Sequence, residues 1–388
     1  MPAVPVPARC YSVRTFTATE RDMTAKKKPK ATATPSSCLH VAVIGAGMAG
    51  VAAARTLLQA GHRVTVLEKS RGFGGRMATR RTEFGGFDHG AQYFTVRDSR
   101  FARALLTAQA QVRPWSVSTV RVLDAFGHVL ASAPPPTEPH FVAAPGMSAL
   151  VHHWAQPIAE AERFGGLPAK ALTSLRVTQI ERDALDPAQW QLRAEDAEGG
   201  QQVLGGFDRV VLAIPHQQAH DLLLASGLAP AWRQALTGVQ VAPCWTLMVA
   251  FPNAMQPGLG TLGPQWNAAR STHHRISWLA RENSKPGRER IERWTVQASP
   301  AWSAKHLEDG EDRVKAKLLK GFAEITGIRA TPPHAVVHRW RFAQTQQALG
   351  QPYLYDAAQG IGLCGDWCIG HRVEDAFVSG LELALAMI

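Results

Sequence analysis

The chain has 388 residues, more than a single hydrophobic core usually fills, so two domains are expected. With 45% hydrophobic and 19% charged residues, its composition is that of an ordinary soluble globular protein. No apolar run reaches the roughly eighteen residues that a membrane-spanning helix needs, so no membrane partner is expected. The net charge is +11, of which residues 1–37 supply +5 (seven Lys or Arg against two acids) and residues 38–388 supply +6. A modestly basic body suits anionic ligands such as nucleotides, although a solvated basic surface has the same composition.

Residues 1–37 are rich in Pro, Ala, Thr, Ser and Lys and show no apolar period, which predicts a disordered basic tail. Three interpretations fit this segment: a disordered extension or mis-started segment with Met23 as the true start, an organelle-targeting segment, or a nucleic-acid arm built on Lys26–Lys30. Glu20 and Asp22 weaken the targeting interpretation. We therefore expect a cytoplasmic protein with no nucleic-acid partner, and organelle import stays open. The sequence carries no signal for an oligomeric state.

The chain has five cysteines, which is an odd number, and it shows neither a secretory signal nor a CxxC pair. This pattern favours a reducing compartment. Cys364 and Cys368 are four residues apart, which fits a metal ligand pair or a disulfide. Because no second Cys/His cluster occurs at ligand spacing, no metal is expected.

The first motif of the folded chain is a glycine-rich turn between two predicted strands. Leu39–Ile44 reads as a buried parallel strand, GAGMAG (45–50) follows it, and an Ala/Leu-rich helix is predicted over Val51–Ala60. His62–Leu67 is the second strand, and Glu68 closes it 23 residues after the first glycine. In such a βαβ unit the glycines permit a tight turn, close approach of a pyrophosphate and close helix–strand packing. The helix N-terminus favours phosphate and the acid accepts from ribose, so a dinucleotide site for NAD or FAD is predicted.

A second glycine pair favours FAD over NAD. The sequence RGFGGRMATRR (71–81) places Gly74, Gly75 and Arg76 just beyond Glu68. The glycines bring the chain close to a ligand, and the arginine adds a cation for a pyrophosphate. A second anion clamp suits an extended FAD that runs out of the first domain. A basic surface turn is the plainer interpretation.

The C-terminal end supplies a third predicted cofactor contact. Ile361–Cys364 reads as a short strand, and Gly365 and Asp366 follow it. A closing helix is predicted because six small or apolar residues share one helical face: Val373, Ala376, Phe377, Gly380, Leu381 and Ala384. Its N-terminus would direct N–H groups at a ring carbonyl that gains negative charge on reduction, and Asp366 would bond the ribityl chain or a phosphate-bound water. Alternatively, the helix only packs the domain and Asp366 is a turn residue.

The stretch GGFDHGAQYFT (85–95) mixes glycines, ionisable groups, an amide and aromatic rings, which suits neither a core strand nor a surface loop. With this stretch the chain resembles the renalase family, a branch of the FAD-dependent amine oxidase-like flavoproteins. The resemblance rests on six blocks between residues 43 and 380: VIGAGMAG (43–50), GFGGRMATRR (72–81), FDHGAQYFT (87–95), PGMSAL (145–150), NSKPGR (283–288) and GDWCIGHRVEDAFVSG (365–380). The pair GRMATRR and FDHGAQYF is the most specific to that branch.

The resemblance implies an α/β fold with a Rossmann-like FAD-binding domain of the glutathione-reductase-like flavoprotein type and a discontinuous α+β substrate domain. The FAD-binding domain would take residues 38–105, 141–220 and 335–388. The substrate domain would take residues 106–140 and 221–334, with a Pro-rich link at Pro134–Pro136 closing its first piece.

The resemblance also implies that the segment after the glycine pair lies along the isoalloxazine ring. Gly86 and Gly90 would let the backbone approach, Asp88, His89 and Gln92 would offer polar contacts, and His89 alternatively makes only a structural hydrogen bond. Tyr93 and Phe94 would wall the pocket or simply pack. With the motifs above, the predicted contacts of a non-covalent FAD are Gly45, Gly47, Met48, Ala49, Gly50, Glu68, Lys69, Gly75, Arg76, Met77, Asp88, His89, Gly90, Ala91, Gln92, Val177, Gly365, Asp366, Arg372, Val373 and Glu374.

An FAD site with a pocket implies an oxidoreductase that transfers hydride to flavin N5, and O2 or another acceptor then reoxidises the flavin. By resemblance, the donor is a dihydronicotinamide, an isomer of NAD(P)H, and H2O2 is released. No catalytic residue is then required beyond the flavin. Arg275, Arg281 and Lys285 are compatible with a phosphate-bearing donor.

Two alternatives remain open. The family pattern of a flavin amine oxidase is an aromatic cage of tyrosines and a lysine-bound water near flavin N5. Tyr353 and Tyr355 are further cage candidates, and Lys285 is the candidate lysine or else a plain loop lysine. A non-redox FAD-binding isomerase or interaction protein is the second alternative. The pocket candidates are His89, Gln92, Tyr93, Trp245, Lys285 and Trp340.

Overall fold

The computed structural model describes residues 38–115, 120–130, 138–255 and 266–388. The predictions for the tail 1–37 and for the link Pro134–Pro136 lie outside these residues. The strands in chain order are β1 (His40–Ile44), β2 (Arg63–Leu67), β3 (Thr79–Thr82), β4 (Gly85–Asp88), β5 (Val112–Trp115), β6 (Val120–Leu123), β7 (His140–Ala143), β8 (Ala169–Leu172), β9 (Leu175–Arg182), β10 (Trp190–Asp196), β11 (Gln201–Phe207), β12 (Arg209–Leu212), β13 (Gln240–Phe251), β14 (Ala268–Ser271), β15 (Ile276–Arg281), β16 (Glu292–Ala298), β17 (His334–Gln347), β18 (Leu354–Asp356) and β19 (Ile361–Leu363).

The helices in chain order are α1 (Met48–Gln59), α2 (Ser99–Leu105), α3 (Ser148–Ala159), α4 (His216–Ala225), α5 (Pro230–Leu236), α6 (Pro300–Lys305), α7 (Glu311–Thr326), α8 (Asp366–Ile369) and α9 (Val373–Met387). Among the described residues, no helix is long and apolar enough to span a bilayer.

The first of two six-stranded sheets has the order β18-β19-β12-β1-β2-β8. The pairs β19–β12, β12–β1, β1–β2 and β2–β8 are parallel, and β18 is an antiparallel edge strand. β1 is buried on both faces, which is why its sequence is continuously apolar rather than alternating. Since the strands are parallel, their carboxyl ends meet at one edge, where Gly45, Glu68 and Gly365 follow β1, β2 and β19.

Helix α9 closes this sheet by crossing α1 at very short range. A side chain at Gly380 would collide with the backbone carbonyl of Ala49, so only glycine permits the approach. The small residues of α1 (MAGVAAA) serve the same contact, because they let two helix backbones come close. The predicted closing helix is therefore present, and it continues to Met387.

The second sheet has the order β17-β13-β16-β15-β14-β6, and every pair is antiparallel except β14–β6. Helix α7 covers one face with Val314, Leu318 and Phe322, which pack on alternate residues of β13 such as Leu247 and Val249. Helix α7 therefore leaves the opposite face of the second sheet uncovered.

The predicted domain boundaries stay a prediction, and one strand bears on them. β17 lies in a segment that the prediction gives to the FAD-binding domain, yet it pairs with β13 of the second sheet from Gln240↔Gln347 to Ala250↔His334.

Candidate functional site

A cavity of about 2580 Å³ runs from the carboxyl edge of the first sheet to the open face of the second sheet. Most residues of the sequence prediction line it. From the cofactor set these are Gly45, Gly47, Met48, Ala49, Glu68, Lys69, Gly75, Arg76, Met77, His89, Gly90, Ala91, Gln92, Val177, Gly365, Asp366, Arg372 and Val373, and from the pocket set Tyr93 and Trp340 are added.

The glycine turn forms one end of the cavity. Gly45 has φ +104°, and a Cβ there would lie 2.5 Å from the carbonyl oxygen of Ala213. Helix α1 starts at Met48, and its N-cap residue Gly47 provides no side-chain cap. The first N–H groups of a helix have no partner within it, and Gly47, Met48 and Ala49 line the cavity. This end is therefore an uncapped helix N-terminus that suits a phosphate. Gly50 lies behind it, packed on the Gly45 carbonyl.

Glu68 is fixed at the end of β2 by two backbone donors. Its Oε2 accepts from the Ala46 N–H at 2.8 Å and its Oε1 from the Ser70 N–H at 2.8 Å. Val177, on β9, lines the same part of the cavity. A fixed carboxylate beside an apolar wall is the arrangement that a ribose and a flat base need.

The second glycine pair touches the first turn. Gly74 and Gly75 have φ +132° and +53°, and a Cβ on Gly75 would lie 3.1 Å from the Cα of Gly47. Arg76 follows and forms a two-pronged ion pair with Asp366, with Nη1 donating to Oδ2 at 2.8 Å. The sequence predicts both side chains as separate ligand contacts, and the structure brings them together at the cavity wall.

These features fit an extended dinucleotide. Two glycine loops meet at a helix N-terminus, a cation follows, and the cavity continues past Arg372 and Val373 at the start of α9. The cavity does not end where one nucleotide would end. It runs on to the aromatic residues beyond Gly90.

Beyond Arg76, the backbone of the segment His89–Gly90 is held by hydrogen bonds and by one close packing contact. The Ala91 N–H donates to the Arg76 carbonyl at 2.9 Å, and a side chain at Gly90 would collide with that same carbonyl. Trp340 Nε1 donates to the His89 carbonyl at 2.9 Å, and Gln297 Nε2 donates to the Gly90 carbonyl at 2.7 Å. These contacts hold the backbone of this stretch along the cavity wall.

His89, His338 and Trp340 form an aromatic cluster at this point. The His89 ring stacks on Trp340 at 5.1 Å and meets His338 edge-on at 4.7 Å. Burial, helped by His338 and Arg80, lowers the pKa of His89 to about 3, and burial with Arg80 lowers the pKa of His338 to about 4. Both rings are therefore neutral at physiological pH, so neither holds a proton to donate as an imidazolium.

Asp88 and Lys285 lie behind the lining in a fully buried ion cluster. Lys285 Nζ donates to Asp88 Oδ2 at 3.2 Å, Glu282 Oε1 at 3.1 Å and Gln92 Oε1 at 3.4 Å, so its three donors are all used. Arg288 Nη2 donates to the same Asp88 oxygen at 2.6 Å. Burial opposes ionisation of Asp88, but Lys285 and Arg288 outweigh it and hold its pKa at about 2. Lys285 thus reaches the cavity only through Gln92 and has no donor left for a water.

Some predicted residues lie elsewhere. Trp245 faces α7 because side chains alternate along β13, and its Nε1 donates to the His306 carbonyl at 2.9 Å. Glu374 points toward the backbone that precedes α2, where its Oε1 accepts hydrogen bonds from the Arg97 and Asp98 N–H groups at 2.7 and 2.6 Å. Neither side chain lines the cavity.

Other sequence candidates also have partners outside the cavity lining. Tyr353 and Tyr355 pack against the core of the first sheet. Arg275 pairs with Glu324 and Arg281 with Glu292. Cys364 and Cys368 are buried free thiols, and burial raises the pKa of Cys364 to about 12.

The sequence analysis missed a row of side chains across the second sheet. Register partners link His338, Thr246, Gln297, Trp278, Arg270 and Val122 through all six strands. All of them except Thr246 line the cavity. The alternating pattern of β15 and β16 signals one solvent-facing or cavity-facing side, but the register between strands is not readable from the sequence.

Comparison with known proteins assigns the chain to a family. Residues 43–108 match the NAD(P)-binding Rossmann-like domain, and residues 135–388 match the flavin containing amine oxidoreductase family. The chain is 49% identical over 59 residues to L-amino acid oxidase Lm29 of Lachesis muta, which covers 15% of this chain and 11% of that protein. An L-amino-acid oxidase of Bungarus fasciatus is 61% identical over 44 residues, covering 11% and 8%. The matched segments thus span about a tenth of these curated relatives.

Solved structures extend the likeness to most of the chain. Cyclohexylamine oxidase from Brevibacterium oxydans IH-35A superposes with a TM-score of 0.66 at 13% identity, covering 90% of this chain and 98% of that one. A putative protoporphyrinogen oxidase from Exiguobacterium sp. 255-15 gives 0.64 at 14% identity, covering 91% and 99%. At these identities the structures report the fold, which is a mixed α/β amine oxidase fold with a Rossmann-like FAD-binding part. With FAD as its cofactor, the chain belongs to the flavin-containing amine oxidoreductase family.

Proposed function

We propose that this enzyme oxidises a small amine at the carbon next to nitrogen. The observation that carries the proposal is the continuous cavity, which leads from the nucleotide-binding glycines to an aromatic end walled by Tyr93, Trp278 and Trp340. The family match and the amine oxidase neighbours support the same reaction class. When bound, FAD supplies the hydride acceptor and the reaction with O2 that releases H2O2.

The chain's own residues would orient the donor and exclude water. Tyr93 stacks on His140 at 3.8 Å and lies 5.6 Å from Trp278, so the rings form a preassembled aromatic corner. Gln92 is held by Lys285 on its oxygen side and by the Gly90 carbonyl, at 3.1 Å, on its nitrogen side. A fixed amide beside fixed rings holds a donor in one orientation, which is the main contribution that hydride transfer needs from a protein.

A second candidate donor is a dihydronicotinamide, which the renalase-like motifs suggest. The charge of the cavity favours it, because twelve Lys or Arg side chains but only four Asp or Glu side chains line the wall. A cationic wall attracts phosphate-bearing donors and disfavours protonated amines. Three finer features are part of the proposed function as well. They are the domain boundaries, the glutathione-reductase-like topology and the role of the cavity-lining residues as FAD contacts.

Anaerobic mixing of the FAD-loaded enzyme with single donors tests both candidates. We expect an amine from a panel of benzylamine, putrescine and L-amino acids to bleach the flavin absorbance, with oxygen restoring it. Bleaching by 2- and 6-dihydro isomers of NADH alone, with β-NADH as the control, would favour the second candidate. If no donor bleaches the flavin, both candidates are rejected.

A further inference from the structure

Arg270 lies at the aromatic end of the cavity, beside Tyr93, and like several other cavity arginines, such as Arg80 and Arg81, it has no acidic partner in the described residues. No Asp or Glu oxygen of these residues lies within 4.0 Å of its guanidinium, whereas Arg76, Arg97 and Arg341 are each paired with a carboxylate. Its recorded side-chain contact is a 3.2 Å hydrogen bond from Nη2 to the Tyr93 hydroxyl. The side chain is exposed, and it lines the cavity.

The sheet places this cation beside a flat aromatic wall. Arg270 on β14 and Trp278 on β15 are register partners, so both side chains project from the same face. Trp278 in turn pairs with Gln297, whose amide holds the Gly90 carbonyl at 2.7 Å. Neighbouring strands are about 4.8 Å apart, so Arg270 lies about 10 Å along the row from Gln297. A small molecule can therefore contact the Gly90 segment and Arg270 at the same time.

The neighbouring groups leave a positive charge at this corner. His140 stacks on Tyr93 at 3.8 Å, and burial together with Arg270 lowers its pKa to about 4, so it is neutral near pH 7. Glu138 also faces His140, but Arg97 neutralises it through contacts of 2.5 and 2.6 Å. The charges of Arg97, Glu138, His140 and Arg270 thus leave one positive charge, which lies on Arg270.

We propose that Arg270, with Tyr93 and Trp278 as its aromatic walls, is a specificity-determining subsite that binds an oxyanion of the hydride donor. The geometry accommodates a planar carboxylate, which an arginine fork binds through two parallel hydrogen bonds. A phosphate group carries the same chemistry and is the other source. The inference rests on the proposed function only in taking the cavity as the donor site.

Equilibrium binding to the FAD-loaded enzyme tests the subsite without turnover. Benzoate and inorganic phosphate are titrated separately, following the flavin absorbance and, in parallel, calorimetry. We expect one of them to bind, and Arg270→Met to weaken that binding about tenfold to hundredfold, with Arg270→Lys in between. Benzoate identifies a carboxylate donor and phosphate a phosphorylated one. Benzamide, which has the shape of benzoate without the charge, should bind wild type and Arg270→Met equally.

Arg275→Met is the matched control, because Arg275 is paired with Glu324 at 3.1 Å and does not line the cavity. It should bind the anion as wild type does. Equal anion binding by wild type and an FAD-retaining Arg270→Met, or no anion binding by wild type, would overturn the subsite. If Arg270→Met loses its flavin, the anion affinity of Arg270→Lys is compared with that of wild type instead. An unchanged affinity in Arg270→Lys would also overturn the subsite. Reduction by a donor panel is scored separately, so an enzyme that binds benzoate through Arg270 but oxidises no amine rejects only the proposed function.

Discussion

Single glycines in the nucleotide turn have different physical tasks. Gly45 is required by the fold, because its φ is +104° and a Cβ would meet the Ala213 carbonyl at 2.5 Å. Gly47 has an ordinary extended conformation, and a Cβ there would meet nothing closer than Gly75 Cα at 3.9 Å. The protein itself therefore tolerates a side chain at Gly47, which would project into the cavity. Glycine at that position serves the ligand.

Gly47→Val is accordingly expected to fold and to purify without flavin, because the two methyl groups occupy the space that a pyrophosphate needs. The ratio of flavin absorbance to protein absorbance measures the occupancy, and circular dichroism measures the fold. Gly238→Ala, outside the cavity and at a position where an added Cβ makes only an ordinary contact of 3.5 Å with the Ala235 carbonyl oxygen, should retain FAD. A Gly47→Val protein that retains one FAD per chain would show that the pyrophosphate lies elsewhere.

For single residues, the sequence predicts which side chains belong to the cofactor site better than it predicts which side chains they pair with. The two glycine motifs and their flanking strands predict Glu68 and Gly75 as cofactor contacts, and both line the cavity. The ion pair between Arg76 and Asp366 joins residues 290 positions apart, and no local pattern encodes such a contact. Arg270 was missed for the same reason, since its position depends on the strands beside it rather than on its own neighbours in the chain.

At the scale of elements, the buried ion cluster ties β4 to the second sheet. Glu282 Oε1 accepts from the Asp88 N–H at 3.2 Å and from the Thr295 hydroxyl at 2.6 Å on β16. Lys285 bridges the two acids, and Met147, at the start of α3, donates its N–H to Asp88 at 2.8 Å. Since β4 leads directly into the His89–Gln92 segment, this cluster positions the segment against the cavity.

Lys285→Met should destabilise the protein by about 3–5 kcal/mol, because it leaves two buried carboxylates without their shared cation. Urea unfolding at pH 7 in saturating FAD measures the change. Asp88→Asn combined with Lys285→Met removes one charge of each sign, so the double variant should lose less than the sum of the single variants. Lys315→Met, which breaks an exposed pair with Asp312, should leave the stability unchanged. A fully stable Lys285→Met would mean that the cluster does not support the fold.

Elements near the nucleotide turn follow local rules, and elements of the second sheet do not. The pattern of strand, glycines, helix and strand predicts β1, α1 and β2, and the observed bounds differ from the expected ones by three residues at most. Trp245 is a predicted pocket residue because it is aromatic and could belong to an amine oxidase cage. Which side of a strand faces a cavity depends on sheet pairing, and β13 turns its odd-numbered residues toward α7.

At the scale of the whole molecule, three neutral histidines from different elements share one cavity. His89 follows β4, His140 lies on β7 and His338 lies on β17 of the second sheet, and all three line the wall. Burial is the largest cause that lowers each pKa, to about 3, 4 and 4 respectively. A histidine in the unfolded chain binds its proton near pH 6.5. Between pH 6.5 and about 4 the unfolded chain therefore binds up to three protons that the folded protein excludes.

The free energy of unfolding should accordingly fall as the pH drops from about 6.5 to about 4, because stability decreases wherever the unfolded state binds more protons. The Asp88 contribution does not interfere, since a carboxylate with a pKa of about 2 in the fold loses its stabilisation only below about pH 4. Replacing one histidine by a group that cannot titrate, as in His338→Gln, should reduce the slope by up to about 1.4 kcal/mol per pH unit. Urea unfolding at constant ionic strength, at pH 7.5, 6.5, 5.5 and 4.5 in saturating FAD, measures it. If His338→Gln and wild type lose stability in parallel, His338 is protonated in the folded protein and the cavity is wetter than its burial implies.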